Sequence, residues 1–298
     1  MSISKFTLGT VQLGMEYGLA NTSGKPSMQT GFDILAAAAR NGVTSIDTAT
    51  SYGDSESVIG GYFAAGGGVF ETVTSKFRLA AESEGSPAQR FRKQLDLTKR
   101  RLGIPKIPIY MFHSAPEMIA HCDELEPLLR AAVRDGEIGA VGASVYTCAE
   151  IEQFLKHPVL KAIQFPLNAL DLRAVTGGML AELEKRGVTV FVRSVFLQGL
   201  LCMPVPPPQY SFIAPYVGQL NEIARSEDLS AAQLAVSFIR DLPGVDSLAL
   251  GCETVAQVLQ NCEIIQTPAL SDRARADVMT LAATVPIERV MQQILAKK

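Results

Sequence analysis

Four ionisable side chains of different chemistry stand at or near the ends of short apolar segments in the first half of the chain. Asp47 closes one such segment, Tyr52 follows five residues later, and Lys76 and His113 close the next two. A carboxylate, a phenol, an ammonium group and an imidazole can together hold, donate and accept a proton. Each residue taken alone also has a purely structural explanation: Asp47 as a turn cap, Tyr52 as a packed ring, Lys76 as a surface charge and His113 as a core histidine. Their joint chemistry depends on whether the fold brings them together.

The segments that end in these side chains belong to a regular alternation of strands and helices. Short β-rich runs alternate with longer helical patterns along most of the chain, which indicates parallel βαβ units. Eight units favour a closed (β/α)8 barrel, an α/β fold, over an open doubly wound sheet, because no GxGxxG follows any strand. The pattern therefore predicts one barrel domain over residues 1–298. The predicted strands are residues 6–13, 44–48, 69–75, 107–113, 140–144, 160–165, 188–194 and 245–250.

Three segments depart from this alternation. Residues 14–26 follow the first predicted strand and residues 195–213 follow the seventh, so both begin at carboxyl ends of strands, where barrel enzymes place their active sites. Residues 271–298 add helix after the eighth unit. Because the carboxyl ends of all eight strands share one mouth, the four ionisable residues are expected to converge there. A buried Lys76 is costly unless a carboxylate such as Asp47 pairs with it.

Composition and charge exclude several classes of protein. Lys and Arg number 27 against 30 Asp and Glu, a net charge of −3 with no long basic run, which argues against a nucleic-acid-binding surface. No uncharged apolar stretch approaches the length of a membrane span, and the amino terminus has no signal-peptide pattern. The five cysteines form no CxxC pair, which favours reduced thiols and a cytoplasmic location.

Motifs of several other enzyme classes do not occur in the sequence. There is no HExxH, no GxSxG and no ligand-spaced Cys/His set, so neither a catalytic metal nor an acyl-transfer serine is supported. The stretch from Gly18 to Ser27 is similar to a phosphate-binding Walker loop. That interpretation fails because five residues instead of four separate Gly18 from Gly24, and Pro26 stands where Ser or Thr is required.

The sequence around Asp47 carries a more specific signal. Residues 47–56 read DTATSYGDSE, which resembles the DTAxxYGxSE segment of aldo-keto reductases, and the Lys and His of that family's catalytic tetrad fall on Lys76 and His113. The resemblance covers nearly the whole chain. It implies reduction of an aldehyde or ketone, or the reverse oxidation of an alcohol or sugar, with NADP(H) or NAD(H). It implies a small-molecule carbonyl substrate as partner, no nucleic acid and no membrane. The oligomeric state stays open at this point, and a monomer is compatible with the sequence.

The resemblance also implies a role for each residue of the tetrad. Hydride transfer builds negative charge on the carbonyl oxygen, so the site needs a proton donor, and Tyr52 takes that role. The ammonium of Lys76 is expected to lower the pKa of the phenol, while Asp47 keeps Lys76 charged and oriented. His113 is expected to align the substrate carbonyl.

Residues on the later strands are implied to hold the cofactor. Ser144, Gln164 and Asn168 correspond to the residues that bind the nicotinamide carboxamide. Arg193 stands where many relatives have an aromatic residue that stacks on the nicotinamide, and its charge bears on the balance between oxidised and reduced cofactor. The loop after the seventh strand is expected to run along the pyrophosphate. The other residues implied to contact cofactor are Ser194, Phe196, Gln198, Gly199, Gly251, Cys252, Glu253, Gln257 and Asn261.

The segment implied to bind the adenosine ribose contains an acid and no base. Residues 251–261 read GCETVAQVLQN, whereas relatives specific for a 2′-phosphate usually have Lys or Arg there. The carboxylate of Glu253 suits a ribose diol and repels a phosphate. The sequence therefore predicts that NADH is used at least as well as NADPH.

The substrate is specified only as a class. The candidate wall residues are mostly apolar, and no second carboxylate-binding cluster accompanies them, so a neutral aldehyde or ketone, including a sugar-derived one, is expected. These residues are Val11, Tyr17, Phe77, Phe112 and Phe196.

Two other functions remain open at this point. A lysine on a barrel strand can act as the nucleophile of a Schiff-base aldolase, with Lys76 in that role, although pairing with Asp47 would keep it protonated. A reductase site can also serve a regulatory protein that senses the redox state of its cofactor.

Overall fold

Eight parallel strands close into a barrel in sequential order, as the βαβ pattern predicts. The computed structural model describes residues 2–18, 21, 24–68, 70–203 and 205–295. Each strand pairs with its neighbours in sequence, and the first pairs with the eighth, so no sheet edge is left open. The strands are β1 (Phe6–Gly9), β2 (Ser45–Asp47), β3 (Thr72–Phe77), β4 (Ile107–Phe112), β5 (Ile138–Ser144), β6 (Leu160–Pro166), β7 (Thr189–Arg193) and β8 (Ser247–Gly251).

Helices surround this barrel and connect its strands. The helix α4 shows why they form: Ser86 caps it reciprocally with Gln89, Pro87 begins it, and Gly103 ends it in a left-handed conformation. The helices are α1 (Val11–Gly14), α2 (Met28–Arg40), α3 (Ser55–Ala64), α4 (Pro87–Leu102), α5 (Ala115–Arg134), α6 (Cys148–Phe154), α7 (Arg173–Thr176), α8 (Met179–Lys185), α9 (Ala214–Ser226), α10 (Ala231–Arg240), α11 (Val255–Ile264), α12 (Asp272–Ala282) and α13 (Ile287–Leu295). Within the described ranges, no helix combines the length and the apolar character needed to cross a membrane.

The alternation of side chains along each strand divides the core into two layers. One small cluster, which includes Ile109, Met111 and Phe191, fills the inside of the barrel. A much larger cluster lies between the barrel and the helices. Because successive strand residues face opposite sides, a residue of the mouth and its immediate neighbour in the strand belong to different layers.

The first predicted strand is too long. Residues 6–13 were expected to be extended, but β1 ends at Gly9 and the chain turns into α1 at Val11. Thr10 makes this turn by hydrogen bonding its side chain and its backbone N–H to the carbonyl of Asp47. The short strand places α1 at the carboxyl end of β1, against the turn that follows β2.

Two of the three irregular segments contain helices, unexpected in residues 195–213 and predicted in residues 271–298. Residues 195–213 form two 3-10 helices, Leu197–Cys202 and Pro208–Ile213. Residues 271–298 contain α12 and α13, and Arg289 of α13 stacks on Phe212 at 4.1 Å. Residues 19–20, 22–23, 69, 204 and 296–298, which fall within predicted segments, lie outside the described residues.

Candidate active site

Lys76 is the centre of the site at the carboxyl ends of β2 and β3. Its side chain is fully buried, and Nζ donates to Asp47 Oδ1 at 2.6 Å and to the carbonyl of Thr48 at 2.9 Å. The same Nζ lies 3.5 Å from Tyr52 Oη, which leaves its third hydrogen for the phenol. The fold therefore joins a carboxylate, an ammonium and a phenol in one chain of contacts, as the spacing of these residues predicted.

Two glycines set the position of Tyr52. Gly14, at the end of α1, lies so close to the turn after β2 that an added Cβ would stand 1.7 Å from the carbonyl oxygen of Tyr52. Gly53 has a φ of 57°, and an added Cβ there would stand 2.2 Å from the Gly14 carbonyl oxygen. The turn that presents Tyr52 is thus packed against α1 backbone to backbone, a contact that the sequence motif does not reveal.

His113 follows β4 and lies beside the same phenol. Its ring contacts Tyr52 edge to face, with centroids 5.4 Å apart, and its Nδ1 lies 2.8 Å from the hydroxyl of Ser51. The contact with Ser51 fixes the ring orientation and leaves Nε2 on the other edge of the imidazole. Ser51 is inside the motif of residues 47–56, yet the motif alone gives it no role.

The electrostatics of Tyr52 differ from the sequence prediction. Burial raises its pKa well above the usual value, the negative charge of Asp47 raises it further, and Arg193 opposes the shift. The net shift is therefore upward and not downward as expected, because desolvation of the phenolate and the charge of Asp47 outweigh the opposing charge of Arg193. Burial also lowers the pKa of Lys76, while its direct contact with Asp47 opposes that shift. Tyr52 thus holds its proton firmly at neutral pH.

Residues predicted to bind the carboxamide lie on the next strands. Gln164 donates from Nε2 to Asp47 Oδ1 at 2.9 Å, so it contacts the buried Asp47–Lys76 pair directly. Ser144 is paired with Gln164 in the register of β5 and β6, and both are buried. The Nδ2 of Asn168 is buried without a hydrogen-bond partner among the described residues. An unused buried amide donor, four residues after Gln164 in the chain, fits a carboxamide ligand.

Arg193 ends β7 on the side of the mouth opposite the strands that carry Asp47 and Lys76. Its guanidinium lies over the ring of Tyr146 at 4.1 Å and donates to the carbonyl of Val145 at 3.2 Å. Tyr17 of the first loop belongs to the same cluster, because burial raises its pKa and the charge of Arg193 opposes that shift. Tyr146 was not among the predicted site residues, and its place after β5 was the only available signal.

The backbone after Arg193 is conformationally unusual. Ser194, Leu197 and Gln198 are non-glycine residues with φ between 49° and 61°, and Gly199 has a φ of 95°. Such conformations cost free energy and persist where the surrounding structure imposes them. Phe196, which lies among them, is half-buried. The predicted pyrophosphate loop is therefore built from irregular backbone.

The residues after β8 form a separate part of the mouth. Glu253 donates its backbone N–H to Gln257 Oε1 at 2.6 Å at the start of α11. Cys252 lies in the core, where its thiol accepts a hydrogen bond from Asn261 at 3.2 Å, so both side chains support the segment from within. Gln12 of α1 packs against Gly251 and was not predicted; its buried Oε1 has no partner among the described residues.

Two of the five residues predicted to line the substrate pocket lie elsewhere in the structure. Phe77 and Phe112 are fully buried and pack on each other with centroids 4.6 Å apart, in the layer between barrel and helices with Phe91 of α4. Lys76 faces the barrel interior, so its neighbour Phe77 must face outward. Of the others, Tyr17 is 39% exposed, whereas Val11 and Phe196 are half-buried on segments that leave the mouth.

Comparison with known proteins agrees with this arrangement. The sequence model of the aldo/keto reductase family matches residues 5–282. An uncharacterised oxidoreductase of Mycobacterium tuberculosis is 30% identical, over 92% of this chain and 90% of the relative. An NADH-specific methylglyoxal reductase of Escherichia coli is 29% identical, over 67% of this chain and 66% of the relative. An aldo-keto reductase structure from Bacillus halodurans shares the fold, with a TM-score of 0.77 and 20% identity over 97% of this chain and 96% of that one.

The barrel and the shared sequence define an oxidoreductase. The chain belongs to the aldo/keto reductase family. It is an NAD(P)H-dependent oxidoreductase that reduces carbonyl groups, and its substrate is a small-molecule carbonyl compound.

Proposed function

We propose that this enzyme reduces a neutral aldehyde or ketone with Tyr52 as the proton donor. The supporting observation is the chain of contacts from Asp47 through Lys76 to the Tyr52 hydroxyl. Reduction builds negative charge on the carbonyl oxygen, and a protonated phenol beside a buried ammonium supplies both a proton and positive charge there. In the oxidation of an alcohol the Tyr52 phenolate takes the proton from the substrate hydroxyl and becomes the phenol again.

The neighbours of Tyr52 then have distinct roles. Asp47 holds Lys76 by the 2.6 Å ion pair, which also opposes use of Lys76 as a Schiff-base nucleophile. His113, fixed by Ser51, aligns the carbonyl with the phenol. When bound, the nicotinamide supplies the hydride, which no side chain can donate. Ser144, Gln164 and Asn168 are assigned to its carboxamide.

The proton-donor role is tested by Tyr52→Phe, which removes only the hydroxyl. Reduction of a generic aldehyde is expected to fall by about 10²–10⁴-fold, the typical contribution of general acid catalysis. The affinity for NADH, measured by fluorescence titration, is expected to stay within about twofold of wild type. Tyr216→Phe on α9, a second half-buried tyrosine, is the matched control and should retain full activity. Equal rates in Tyr52→Phe and wild type would reject the role.

We further propose that NADH is used at least as well as NADPH. Support comes from Glu253 at the start of α11 and from the lack of a base in residues 251–261. The name of the Escherichia coli relative, an NADH-specific reductase, agrees with this preference. The proposed substrate class is supported by the mostly apolar side chains of Val11, Tyr17 and Phe196 at the mouth. Turnover of a panel of carbonyl compounds that includes methylglyoxal tests this class.

The cofactor preference is measured by titrating both reduced cofactors. Glu253→Lys is expected to improve the affinity for NADPH relative to NADH by about tenfold, or about 1.4 kcal/mol, because it exchanges repulsion for attraction. Glu263→Lys is the matched control, since Glu263 is an exposed acid near the far end of α11, the helix that begins two residues after Glu253. Wild-type binding of NADPH more than about tenfold tighter than NADH would reject the proposal.

A cytoplasmic location is also proposed. Its support is the state of the five cysteines, all of which are unpaired thiols. Unpaired thiols are typical of reducing compartments. Fractionation of cells that express the tagged protein tests the location, and recovery with secreted proteins would reject it.

A further inference from the structure

The guanidinium of Arg193 is held in one place. Tyr146 covers one of its faces at 4.1 Å, the carbonyl of Val145 accepts from Nη2 at 3.2 Å, and the Ser194 hydroxyl lies 3.5 Å from Nη1. A planar cation stacked on an aromatic ring and anchored at its edge keeps its orientation better than a flexible ammonium would. The charge of Arg193 is therefore a fixed feature of the mouth.

That charge is not neutralised by an ion pair. No carboxylate within the described part of the chain lies within salt-bridge distance of Arg193, although its guanidinium is half-buried. The charge also acts on the reacting groups: it opposes the raised pKa of Tyr52 and adds to the lowering of the Lys76 pKa. Arg193 thus contributes positive potential at the place where the proposed proton transfer occurs.

A hydride donor must approach the same place. The carbonyl that receives the Tyr52 proton at oxygen receives the hydride at its carbon, so the nicotinamide ring has to lie within a few atoms of the Tyr52 hydroxyl. The oxidised ring carries a positive charge and the reduced ring is neutral. A fixed cation nearby repels the first and not the second.

We infer that Arg193 is a specificity-determining residue that makes this site bind NADH more tightly than NAD⁺. The inference rests on the proposed function, because it requires the ring to react at Tyr52. It has a kinetic consequence: the oxidised cofactor is the product of reduction, and weaker binding of that product speeds its release. The cation therefore favours carbonyl reduction when both cofactor forms are present.

Binding measurements on variants of Arg193 test the inference without using turnover. The dissociation constants of NADH and NAD⁺ are measured by calorimetry for wild type, Arg193→Met and Arg193→Lys. The ratio of the NAD⁺ constant to the NADH constant is expected to fall by about tenfold in Arg193→Met, which keeps the stem and removes the charge. Arg193→Lys, which keeps the charge, should hold the ratio within about threefold of wild type.

The outcomes separate this inference from the proposed function. A ratio unchanged in Arg193→Met, or equal weakening of both cofactors, would overturn the inference and leave Tyr52 as proton donor. If Arg193→Met does not fold, Arg193→Gln and Tyr146→Leu replace it. The ratio of the NAD⁺ to the NADH dissociation constant should then fall in Arg193→Gln and fall less in Tyr146→Leu. Failure of wild type to bind either cofactor would overturn both proposals.

Discussion

Two sides of the barrel mouth are built by different means. The tetrad side, formed by Asp47, Tyr52, Lys76 and His113, consists of side chains at regular strand ends that touch each other within a buried network. The cofactor side joins two different parts: residues 193–199, a loop of irregular backbone with several positive φ angles, and residues 251–261, a capped turn that leads from β8 into α11. The first side depends on side-chain identity, and the second depends on backbone shape.

This difference explains why residue roles on the tetrad side are easier to predict from the sequence than residue roles on the cofactor side. A buried lysine needs a carboxylate, so Asp47 and Lys76 constrain each other whatever surrounds them. A backbone loop that holds a dinucleotide tolerates many side chains, so the identity of Gln198 or Phe196 says little about its role. The two sides should accordingly respond differently to substitution.

The largest effect is expected at the buried ion pair. Lys76→Met leaves the Asp47 carboxylate buried without its partner and is expected to reduce the free energy of unfolding by about 3–5 kcal/mol. Lys25→Met is the matched control, because Lys25 forms an exposed pair with Asp54 at the same distance, 2.6 Å, and should cost less than about 1 kcal/mol. Urea unfolding measures both. Equal losses would show that burial of the pair does not distinguish the tetrad side.

A smaller effect is expected where α1 meets the Tyr52 turn. Gly14→Ala forces the two backbones apart and is expected to reduce stability by about 1–3 kcal/mol while lowering kcat through displacement of Tyr52. Gly218→Ala on α9, where no described atom lies within 4 Å of the new Cβ, should instead be neutral or stabilising. Thermal unfolding and aldehyde turnover check both variants. Full activity in Gly14→Ala would show that Tyr52 does not depend on this contact.

The smallest effect is expected on the cofactor side. Gln198→Gly relieves a left-handed conformation and is expected to raise stability by up to about 1 kcal/mol while weakening NADH binding. Asp228→Gly relieves the same kind of conformation, with a φ of 56°, in the turn between α9 and α10. It should raise stability similarly and leave NADH binding unchanged. Calorimetry of both variants decides whether the strained loop serves the cofactor.

The two errors in the predicted substrate wall follow from strand geometry. Lys76 and Phe77 are adjacent in β3, and Met111 and Phe112 are adjacent in β4, with Lys76 opposite Met111. If Lys76 faces inward, the period of two places Phe77 and Phe112 outward, where they pack on each other and Phe77 contacts Phe91 of α4. This parity was available from the sequence, so the two phenylalanines could have been assigned to the outer layer.

Other features were not available from the sequence. The raised pKa of Tyr52 reflects how far the hydroxyl is withdrawn from water, which depends on every element around the mouth. The contact of Gln164 with Asp47 joins residues that are 117 positions apart. The stacking of Arg193 on Tyr146 likewise joins the ends of two strands that are not neighbours.

The sequence by itself predicted the barrel and the family and gave the four candidate residues of the proposed tetrad, because alternating hydrophobic patterns and a dense local motif can be recognised without knowledge of distant contacts. Only the tertiary structure decided the direction of the Tyr52 pKa, the packing of Gly14 on its turn and the fixed position of the Arg193 charge. These depend on burial and distance, which arise when segments far apart in the chain close on one mouth.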